Sequence, residues 1–65
     1  MKLERVIEIN NDLIELENKL LSYSKEISDS NVIDKDLVEG NTQLIRSMIF
    51  IKLCILSLYS LINKS

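Results

Sequence analysis

Leu44 to Ile62 reads LIRSMIFIKLCILSLYSLI, broken only by Arg46, Ser47, Lys52, Ser57 and Ser60. A helix lying on an ordinary protein surface hides one apolar stripe, and this segment is apolar over more of its circumference than one stripe holds. At helical spacing it splits into two parts. The front is Leu44, Met48, Ile51, Ile55, Leu58 and Ile62, four and three residues apart, and it extends upstream through Asn41 to Leu37. Val38, Ile45, Ile49, Leu56 and Tyr59 widen it. The back is Phe50, Leu53, Cys54 and Leu61, which interrupt an otherwise polar line. The front calls for a neighbouring helix, and the back calls for a second cover.

The first half of the chain supplies the neighbour. Val6, Ile9, Leu13, Leu16, Leu20, Tyr23 and Ile27 recur at three-four spacing, the seam of a heptad helix. A second line, Ile7, Ile14 and Leu21, makes this apolar face wider than one seam, with Asn10, Glu17 and Ser24 lying between the two lines. Glu15 and Lys19 stand at i,i+4 on the polar side. The period stops in SDSNVIDKD, Ser28 to Asp36, where short polar side chains compete with helix for the backbone. Asp34 has the chemistry of an N-cap, and Ile33 and Val38 have the spacing of a hydrophobic staple around it.

These signals predict one all-α domain: a first helix over about 3–28, a turn over about 29–34, and a second helix over about 35–63. Gly40, which costs roughly 1 kcal/mol against alanine in a helix, marks a possible kink or restart. So short a connection favours an antiparallel hairpin. Its seam is expected to hold Leu13, Leu16 and Leu20 against Met48, Ile51, Ile55 and Leu58.

Composition narrows the function. Sixty-five residues bury a small fraction of their surface, so a chain of this size needs a staple or a partner. One cysteine and no histidine provide neither an internal disulfide nor a common zinc set. Without histidine, a glycine-rich loop or a nucleophile motif, no enzyme is expected, and no cofactor or metal. An EF-hand loop begun at Asp34 fails where Val38 and Glu39 fall on its fifth and sixth places. Cys54 reads as a small buried hydrophobe rather than a reactive thiol. A net charge of −2 with dispersed Lys and Arg argues against nucleic acid, and the acidic N-terminal stretch lacks the pattern of a secretory signal, which points to the cytoplasm.

Association is then the expectation. Two hairpins pairing as a homodimer make a four-helix bundle, and Gly40, Ser47 and Cys54, seven residues apart, would allow close approach. Alternatively a helical protein partner docks on the second helix, with Phe50, Leu53, Cys54 and Leu61 as its partner-binding residues. Lipid is the less favoured cover, in the manner of a holin-like protein, because the apolar run is shorter than the roughly 20 residues of a membrane span and carries Lys52 near its middle. The stretch LIELENKLL (Leu13 to Leu21), the polar turn, EGNTQL (Glu39 to Leu44) and an apolar end with Tyr59 together resemble the small helical-hairpin co-chaperones of type III secretion needle subunits. That resemblance implies a cytoplasmic chaperone or adaptor that pairs with a larger helical-repeat chaperone. The pair keeps the needle subunit from polymerising early, with the apolar residues of the second helix engaged.

Overall fold

The protein is a two-helix hairpin without strands among its described residues, which in the computed structural model are 1–31 and 33–65. α1 spans Leu3–Asp29 and α2 spans Lys35–Lys64. The predicted turn includes Val32, which lies outside the described residues. Contacts run in opposite order along the two helices: Ser28 and Ser24 meet Asn41, and Glu17 meets Lys52, so the hairpin is antiparallel. The rod measures 48 × 15 × 14 Å, the length expected of helices rising 1.5 Å per residue.

Asp34 starts α2. Its Oδ1 accepts from the backbone N–H of Asp36 at 2.8 Å and of Leu37 at 3.2 Å, so two of the helix's orphan donors are met. The staple does not form. Ile33 is 97% exposed, because the chain enters the helix with this side chain directed away from Val38 and the hairpin. α2 passes through Gly40 without interruption, and no described residue has a positive φ. A Cβ at Gly40 meets nothing within 4 Å. Gly40→Ala should therefore raise stability by roughly 1 kcal/mol, read as a higher urea midpoint at unchanged slope.

The interior is thin. Val6 and Ile55 are the buried apolar residues, and Leu37, Leu44, Met48, Ile51, Leu58 and Ile62 on α2 are half-buried against α1. On α1 the inward line differs from the predicted seam. It runs Val6, Asn10, Leu13, Glu17, Leu20, Ser24 and Ile27, with Ile9 beside it, whereas Leu16 is 41% and Tyr23 50% exposed. Leu16 therefore stands on the flank, not in the seam with Leu13 and Leu20.

The physical reason lies on α2. Asn41 faces α1, and its amide would strand about 1–3 kcal/mol if set against apolar side chains. With the observed rotation, Ser24 Oγ donates to Asn41 Oδ1 at 2.7 Å and Asn41 Nδ2 donates to Ser28 Oγ at 3.2 Å. Farther along, Lys52 Nζ lies 3.0 Å from Glu17 Oε1. The polar column Asn10–Glu17–Ser24, seven residues apart, thus faces the partner helix beside Val6, Leu13, Leu20 and Ile27, and the columns of Leu16 and Tyr23 and of Ile7, Ile14 and Leu21 become flanks.

Candidate partner-binding surfaces

This rotation distributes the uncovered apolar surface over three sides. The outer side of α2 carries Phe50 at 72% exposure, Leu53, Cys54 and Leu61. Cys54 is an exposed free thiol, not the buried hydrophobe expected from its neighbours, because α1 covers only the opposite side of α2. Two of the hydroxyls on α2 are turned back to their own helix. Thr42 Oγ1 donates to Val38 O at 3.1 Å, and Ser47 Oγ to Gln43 O at 2.9 Å. Such back-bonded hydroxyls offer few donors to a partner and leave carbon to contact it.

The second surface is a groove between the helices. Leu21 of α1 and Ile45, Met48, Ile49 and Leu53 of α2 line about 410 Å³ of open space, Leu53 standing on the edge it shares with the outer side, and the Glu17–Lys52 pair forms part of its wall. Ile7 and Ile14 continue the α1 side, and Leu56 and Tyr59 lie beyond the groove on α2; all four are exposed. The composition of this strip was visible in the sequence as the second line of α1 and the widened front of α2. Its assembly into one face was not, because that depends on the rotation of α1. The charge signal was Glu17 and Lys52, opposite in sign and level with each other in an antiparallel hairpin.

The third side is the flank of α1 that carries the exposed Leu16 and Tyr23. Two further ion pairs, Arg5–Glu8 at 2.9 Å and Glu15–Lys19 at 3.7 Å, lie within α1 and are solvent-exposed, so they contribute a few tenths of a kcal/mol each. No group of three or more Asp, Glu, Cys or His side chains converges among the described residues.

The chain matches no protein-family model, curated protein or solved structure. Its surfaces must therefore be read from chemistry alone. α2 is long and apolar enough to cross a membrane by length and composition, and only 6% of that apolar stretch is buried in the hairpin. Asn41 and Lys52 are each matched by a side chain of α1, at heights fixed by the hairpin.

Proposed function

We propose that this chain is a non-catalytic helical interaction module, a small chaperone or adaptor that holds a helical partner protein on the outer side of α2. The observation that carries this reading is Phe50. It lies in the middle of a continuous helix at 72% exposure, flanked by exposed Leu53, Cys54 and Leu61. Monomeric soluble proteins seldom leave so much contiguous apolar surface uncovered, and an aromatic with aliphatic neighbours at i+3 and i+11 is the anchor pattern by which one helix receives another. The hairpin layout with a polar turn supports the co-chaperone class, in which a cytoplasmic hairpin shields an aggregation-prone secretion subunit.

A photo-crosslinking amino acid in place of Phe50, introduced in the native cell, tests this directly. The expected product is one discrete adduct whose mass exceeds that of the chain by a partner other than itself, lost when Leu61 is changed to Asp. Adducts only to a second copy would make the outer side a structural dimer seam, and adducts only to lipid would make α2 a membrane element. Either result contradicts the proposal.

A further inference from the structure

Charge on the outer side of α2 limits what can lie there. We infer, on the reading that a partner helix is held across Phe50, that this partner is acidic: an amphipathic helix whose apolar stripe is bracketed by carboxylates that meet Arg46 and Lys64.

All 10 Asp and Glu of the chain lie before Gly40, and from Gly40 to Ser65 the charged side chains are Arg46, Lys52 and Lys64. α1 answers one of the three, since Lys52 Nζ lies 3.0 Å from Glu17 Oε1. Arg46 and Lys64 are exposed and form no ion pair among the described residues. At 3.6 residues per turn, Arg46, Leu53 and Lys64 fall on one line of α2, opposite the buried Ile55, with Phe50 and Leu61 beside that line. Arg46 and Lys64 are five turns apart, about 27 Å, so they stand at the two ends of the apolar patch. The nearest acid on the helix, Glu39, comes two turns before Arg46, about 10 Å away along the axis. Lys64 also complements the negative end of the helix, but Arg46, in mid-helix, has no such role in the fold. A helix laid along this side meets a cation, an apolar patch and a second cation.

Charge complementarity selects among the covers for this side. A second copy laid outer side to outer side sets Arg46 and Lys64 against the same two cations, whichever way it runs, and specific interfaces avoid like charges face to face. A neutral apolar helix would cover Phe50 and Leu53 but strip water from both cations without replacing it. Anionic lipid headgroups gain roughly 1 kcal/mol per nearby cation, and recognition of such a surface takes clusters of about four to eight basic residues, not two. Both cations also lie in line with Leu53 instead of along the border of the patch, so sinking Leu53 among acyl chains would draw them toward the hydrocarbon. A protein helix can place one carboxylate at each end of its apolar stripe, and a carboxylate can meet the Arg46 guanidinium through two parallel hydrogen bonds.

Charge reversal around the photo-crosslinker at Phe50 tests this with the full chain in the native cell. Arg46→Glu combined with Lys64→Glu should lower the yield of the partner adduct about 10-fold or more. Arg46→Lys combined with Lys64→Arg, which keeps both charges, should retain most of it. Lys2→Glu combined with Lys25→Glu makes the same change of net charge away from this side and should leave the yield unchanged. The helical circular dichroism signal of every variant should match that of the parent, since all four side chains are exposed. Fragmentation of the parent adduct should place the crosslink in a segment with apolar residues at helical spacing and acidic residues about 18 positions apart. An undiminished adduct in the charge-reversed protein, or a crosslinked segment without acidic residues, would overturn the inference and leave the partner site standing. Adducts only to lipid or only to a second copy would remove the partner site itself, and the inference with it.

Discussion

Ile55→Asp should leave the chain unfolded at room temperature. Ile55 is the largest side chain of the thin core, 8% exposed where the front of α2 meets α1. Truncating a buried isoleucine to alanine costs about 2–5 kcal/mol, and an unpaired carboxylate in the same place costs more because it must be desolvated. Small domains hold roughly 0.05–0.15 kcal/mol per residue, so a 65-residue chain has only a few kcal/mol to lose. The helical circular dichroism signal should collapse to that of a disordered chain. Leu61→Asp, on the outer side of the same helix, should preserve it. A cooperatively folded Ile55→Asp protein would mean that the hairpin interface is not where the fold is held.

Asn10→Leu should act in the opposite direction. Asn10 is 4% exposed, and its Oδ1 has no hydrogen-bond partner among the described residues. Leucine keeps the branched outline of asparagine, though it is larger, and removes an unsatisfied acceptor, so a gain of roughly 1–3 kcal/mol is expected, seen as a rise in the urea midpoint. The gain should come with a loss of definition. A polar residue on a seam line penalises shifted registers and other partner numbers, and an all-apolar line does not. Sedimentation of Asn10→Leu should accordingly show species beyond that of the parent. The same replacement at Asn41 should destabilise, because it strands buried Ser24 and removes the bond to Ser28. If both asparagines respond with the same sign, their hydrogen bonding does not govern their roles.

The contrast between the helices shows what a sequence of this kind reveals. α2 declares its inward line, since Leu37, Leu44, Met48, Ile51, Ile55, Leu58 and Ile62 keep strict spacing around Asn41, and each is covered in part by α1. α1 has apolar columns on both sides of a polar one, and apolar periodicity alone chooses the wrong pair. Leu16 and Tyr23 look like seam and are flank, because the choice is made by polar matching across the interface, in which Glu17, Ser24 and Ser28 answer Lys52 and Asn41. Asp34 is legible as a cap because capping is local, whereas the Ile33 staple and the burial of Cys54 depend on how the chain leaves the turn and on which side α1 lies. The back of α2 was readable as surplus apolar surface.

Two helices cannot enclose a core, and the described residues leave apolar side chains open on the groove and on the outer side of α2. The fold therefore calls for association with a second copy or a partner. Sedimentation equilibrium of the unmodified chain over a wide concentration range tests that most directly. A folded species at twice 7.5 kDa, giving way on dilution to a monomer with weakened helicity, is the predicted result. A fully helical monomer of 7.5 kDa at every concentration would contradict it.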